Sequence, residues 1–155
     1  MANTQAMCTS FKGELLTATH NFGTAPIRAA STADTFKAAL YLASATINAS
    51  TTVYTTTGEV TGTNYTAGGV TVNNSTAPTT SGTTGYWTPS ASITYGSGGS
   101  PVTLSTAFDC VLIYNSSQSN KAVSVHTFGS QTITAGTFAL TMPPNDATNA
   151  LIRLA

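Results

Sequence analysis

The chain has 155 residues, enough for one domain that buries a core without disulfides or metal. Nearly a third of its side chains are Ser or Thr, while five basic and five acidic residues cancel to a net charge of zero. So sparse a set argues against acid-base, phosphoryl and metal chemistry, which need clustered ionisable groups, and against nucleic-acid binding, since Lys12, Arg28, Lys37, Lys121 and Arg153 form no basic stripe.

Hydrophobic residues make up 41% of the chain, with aromatics spaced from Phe11 to Phe138, so the Thr-rich composition does not signal disorder. Low surface charge favours association, which suits a subunit of an assembly. The first eight residues carry no basic stretch ahead of an apolar run, and no run approaches a membrane helix. The expectation is a chain made in the cytosol, with no secretory signal and no membrane partner.

In chain order, Ala6, Met7, Phe11, Leu15 and Leu16 fall near helical spacing between Thr4 and His20, with Thr4 as N-cap. One N-terminal helix or arm is expected over residues 1–25, its Met7, Phe11 and Leu15 stripe facing either the domain's own sheet or a neighbouring subunit. A second unit, residues 26–155, changes to period-two patterning. Phe36 to Ala43 is preferred as a strand, although Phe36, Leu40 and Ala43 also fit a helical turn with Asp34 as cap. Thr51 to Val60, Asn64 to Thr66 and Val70 to Val72 are expected as neighbouring strands, and Asn73 to Gly85, rich in turn formers, as an exposed loop.

A strand from Ala91 to Tyr95 and a Gly-rich loop to Pro101 follow. Phe108 to Tyr114 is the most apolar run, and Lys121 to Phe128, Gln131 to Ile133 and Thr137 to Met142 come at short intervals. Pro143 and Pro144 stop strand continuation, and Ala150 to Leu154 is a candidate edge strand. The fold class is therefore all-β: a single antiparallel β-sandwich or jelly-roll-like domain with a short N-terminal helix or arm.

No chemical motif survives inspection. His126 alternates along Val123 to Phe128 and shares a face with Ser124 and Phe128, which reads as a structural rather than a catalytic histidine. Asp109 and the serines form no G-x-S-x-G elbow, and the Gly-rich turns do not open a nucleotide-binding helix. Cys8, Cys110, His20 and His126 lack metal-ligand spacing, so no metal, cofactor or catalytic residue is assigned. Cys110, inside an apolar run, reads as a buried thiol. Tyr86 and Trp87 adjoin the loop and suggest either a core anchor or an aromatic platform for a sugar.

The segment from Phe11-Lys12 to Gly23, the block ADTFKAALY (33–41), GEVTGTNY (58–65) with Ala67-Gly68-Gly69, and FDCV (108–111) resemble small structural proteins of tailed bacteriophages over nearly the full length. The resemblance implies a non-enzymatic virion protein, made in the bacterial cytoplasm and assembled on the capsid surface. Its favoured form is a decoration or cement protein, often a homotrimer, that binds neighbouring major capsid subunits; Met7, Phe11, Leu15, Leu151, Ile152 and Leu154 are the candidate interface. The alternative is a tail- or head-fibre component that contacts host glycans through Tyr86 and Trp87.

Overall fold

The computed structural model describes residues 3–16, 19–20, 22–23 and 33–155. The expected boundary between residues 25 and 26, and Arg28 beyond it, lie outside the described residues. Among those described, the fold is all-β with one short helix: β1 (Ala6–Met7), α1 (Thr9–Leu16), β2 (Phe36–Leu42), β3 (Val70–Thr71), β4 (Thr79–Ser81), β5 (Thr84–Trp87), β6 (Ile93–Tyr95), β7 (Val102–Asn115), β8 (Lys121–Gly136), β9 (Phe138–Leu140) and β10 (Ile152–Leu154). Every pairing is antiparallel. A five-stranded sheet runs β1-β8-β7-β2-β3, beside a three-stranded sheet β10-β5-β4 and a pair β6-β9.

The register sorts the large sheet into two faces. Ala38, Ile113 and Ser124 line up across β2, β7 and β8, as do Leu40, Val111 and His126 on the same face. Ala39, Leu112 and Val125 take the other, with Tyr41 and Cys110. The first face lies under the smaller sheets: Phe36 meets Trp87 of β5, and Val111 and Ile113 share a cavity with Ile93 of β6 and Leu140 of β9. Residues 43–60 cover the second face, where Tyr41 Oη donates to the Thr55 carbonyl and Tyr54 stacks on Tyr114. Burial on both faces explains why 110–114 is a continuous apolar run instead of an alternating one.

Several expectations need correction. The helix begins at Thr9, not Thr4, because Ala6 and Met7 join β8 as β1 and the Cys8 N–H donates to the Val123 carbonyl. Once the sheet takes those backbone groups, they are lost to a helical ladder, and the spacing of Met7 from Phe11 carries no helical meaning. Thr51 to Val60 is not a strand. Its backbone pairs with the sheet at two isolated bridges, Val53 to Lys121 and Tyr41 to Glu59. Thr hydroxyls compete locally for its backbone, as Thr57 N–H donates to Thr55 Oγ1, and Gly58 turns the chain. Asn64 to Thr66 is likewise a turn, with Asn64 at a positive φ of 58°. The expected loop 73–85 holds β4 and the start of β5, a hairpin turned at Gly82 (φ 57°) and not visible in a Ser/Thr composition lacking bulky residues. Lys121 to Phe128 and Gln131 to Ile133 fuse into one strand, β8, which crosses Gly129 through bulges against β7.

Phe36 to Leu42 is a strand, and Ile152–Leu154 is an edge strand of the three-stranded sheet. Cys110 is a buried thiol, its pKa pushed up to about 12 by burial and then by Asp109; Cys8 is buried as well.

Candidate functional site

The most distinctive surface of the molecule lies where α1 approaches the three-stranded sheet. Trp87 pairs with Ile152 across β5 and β10, and both turn inward. Phe22 sits 4.5 Å (ring centroids) from Phe36 and 4.6 Å from Trp87, and Phe11 meets Phe22 edge-on at 6.0 Å. This aromatic stack closes the inner end of the sandwich. Two residues back along β5, strand alternation returns to the same face at Gly85, which is paired with Leu154 and Thr80. A Cβ built there meets nothing within 4 Å. The missing side chain leaves a groove of about 260 Å³ between the inner face of the sheet and α1, lined by Phe11, Leu15, Phe22, Trp87, Ile152 and Leu154 together with Pro78, Thr79, Thr80 and Tyr86. Among the described lining residues the only ionisable group is the Tyr86 phenol.

The groove gathers six of the eight residues singled out in the sequence: Phe11, Leu15, Tyr86, Trp87, Ile152 and Leu154. They had been assigned to two different readings, and the fold makes them one place. Phe11 and Leu15, one helical turn apart, present one face of α1 to it. Phe11 is fully covered by its own chain, whereas Leu154 is 44% exposed at the mouth. Trp87 is 2% exposed and its indole N–H donates to the Thr76 carbonyl at 2.9 Å, so it anchors the core and offers no free ring face to a sugar. Met7 and Leu151 sit elsewhere, around a second cavity beside His126.

His126 lies on β8 with Ser124 two residues before it, and their side chains hydrogen-bond at 2.9 Å. Ser124 is buried, and His126 is part-exposed with its pKa pushed down to about 4 by burial alone. Asp109, the acid considered with them, instead accepts from Asn3 Nδ2. No group of three or more metal-ligating side chains occurs among the described residues, and no helix among them is long and apolar enough to cross a membrane.

Sequence reasoning missed a buried polar site around Glu59. Glu59 is buried and accepts three hydrogen bonds, from Tyr54 Oη at 2.6 Å, Tyr65 Oη at 2.8 Å and the Gly68 N–H at 2.7 Å. Tyr114 Oη donates to the Gly68 carbonyl and Tyr95 Oη to that of Ala38. Burial first, then the Glu59 charge, pushes Tyr114 up to about 12, and Tyr41, Tyr54, Tyr65 and Tyr95 also titrate well above the ordinary phenol range. All five phenols therefore stay protonated donors through neutral pH. Gly69 closes this site: its φ is positive and a Cβ would fall 1.7 Å from the Ala38 carbonyl oxygen. The legible signal was a lone Glu flanked by two tyrosines six or fewer residues away, with a Gly-Gly turn beyond.

Comparison with family models, curated protein sequences and solved structures finds no match.

Proposed function

We propose that the chain is a virion structural protein of a tailed bacteriophage, a decoration protein whose docking face is the apolar groove between α1 and the β10-β5-β4 sheet. The observation that carries the choice of face is the apolar groove left under Gly85, with Leu154 exposed at its mouth and hydroxyls in place of charges at its border. Such a surface associates by burying area and by backbone pairing at a strand edge, not by ion pairs. The outer strands β4 and β10 of this sheet flank it, unpaired on their far sides among the described residues, and β4 is exposed along its length without a Lys, Glu or Pro within the strand to deter pairing. Many copies on a lattice convert modest single contacts into a strong collective clamp on the major capsid subunits. The same uncharged surface suits a homo-oligomer formed on the capsid.

The test is cryo-electron microscopy of virions containing the chain. Density repeated over the icosahedral lattice, with the β4-β5-β10 sheet turned toward the shell, is expected. Density confined to a vertex or the tail overturns the decoration reading, and lattice density with that sheet facing solvent overturns the assignment of the face.

A further inference from the structure

Residues 141–155 leave β9 and cross the sandwich as a strap before ending in β10. His126 lies beneath this strap. It lines two cavities at once, one of about 110 Å³ shared with Leu140, Met142 and Leu151, the other of about 360 Å³ shared with Pro143, Leu151 and Arg153. The strap is held by the Leu151 N–H, which donates to Thr88 Oγ1 at 2.9 Å, by three residue pairs between β10 and β5, and by the buried Ala150 and Ile152. The groups facing His126 leave a cation there uncompensated. Just before and within β1 they are Gln5 and Met7, from β7 Val111 and Ile113, from β6 and β9 Ile93 and Leu140, and none of these titrates. From the strap the one charged group is Arg153, another cation; Asp146, which offsets Arg153, is exposed and holds Thr148 and Asn149.

We propose that His126 is an acid-sensitive latch, and that its protonation releases the strap bearing β10 from β8. Neutral imidazole suits the site, because it bonds Ser124 Oγ and on the side of the smaller cavity meets Ile93, Val111, Ile113, Leu140 and Met142. Imidazolium there faces desolvation, which is relieved when the strap lifts and water enters. The sign follows from linkage. The closed form binds the proton more weakly than the open form, so closure is favoured above the ordinary histidine range and is lost as pH falls from 6.5 toward 4. Because β10 carries Ile152 and Leu154, release also dismantles one wall of the apolar groove. The latch itself does not depend on what that groove binds.

Amide hydrogen exchange at pH 7 and pH 5, corrected for intrinsic rates, tests this on the full chain. The β10 amides should lose roughly tenfold in protection, with a ceiling of about 25-fold for a shift from 6.5 to about 4, while β2 and β7 stay protected. His126→Gln, which keeps a hydrogen-bonding partner for Ser124 and cannot titrate, should show no such loss. Should that variant fail to fold, the wild-type imidazole titration followed by NMR must coincide with β10 release. Unchanged β10 protection, an equal loss in His126→Gln, or a loss spread evenly over all strands overturns the latch.

Discussion

The Glu59 site and the Trp87 groove are built from similar numbers of aromatic side chains, yet they differ in every property that bears on function. Around Glu59 the aromatics are tyrosines, and each hydroxyl is spent inside the chain on a carboxylate or a backbone carbonyl. Around Trp87 they are mainly phenylalanines that stack on one another, and beyond them the strand carries Gly85 where a side chain would have closed the layer. The first region is saturated and has nothing left to offer a partner. The second keeps an apolar groove open among the described residues. In a nearly uncharged protein, hydrogen-bond saturation thus separates the two sites: one is a closed polar network, the other an apolar groove with Leu154 exposed at its mouth.

Substitutions can break this comparison in order of effect. Trp87→Ala should cost the most, about 3–5 kcal/mol in chemical denaturation, because the indole is core to Phe22 and Phe36; a variant of native stability would mean that the tryptophan is a surface platform after all. Glu59→Ala strands three donors and should cost on the order of 3 kcal/mol, and loss of that network should loosen residues 54–69 in particular. Equal stability would show the network to be incidental. Gly85→Ala places a methyl in open space on a strand at no positive φ and should raise stability by roughly 0.4–1 kcal/mol. Leu154→Ser, at the exposed mouth, should change the stability of the isolated chain by about 0.5 kcal/mol or less while weakening association. A large stability loss there would make Leu154 core, not interface.

How much of this was legible depended on what each residue's signal was about. Phe36 to Leu42, Phe108 to Tyr114 and Ile152 to Leu154 could be read as strands because burial needs a continuous or alternating apolar pattern, and composition records it. The β4-β5 hairpin was not, since Thr79 to Ser81 is exposed and held by backbone pairing with β5, which leaves no apolar trace. Thr51 to Val60 erred in the opposite direction: its alternation of Thr with Val53 and Tyr54 fits a strand, but side-chain hydroxyls and long-range bonds to Asn120 and Tyr41 claim the backbone. The groove residues were individually visible as apolar or aromatic. Their convergence was not, because it is made by an absent side chain at Gly85 and by sheet order, which places the last strand beside the fifth.

The most direct test of the groove as docking face is co-sedimentation of the chain with shells of the major capsid protein, wild type against Gly85→Leu, with circular dichroism confirming that the variant is folded. Wild type should pellet with the shells, and Gly85→Leu, its groove filled from within, should remain in the supernatant. Equal pelleting of both would contradict the assignment of the groove, and failure of both to pellet would contradict the capsid reading itself.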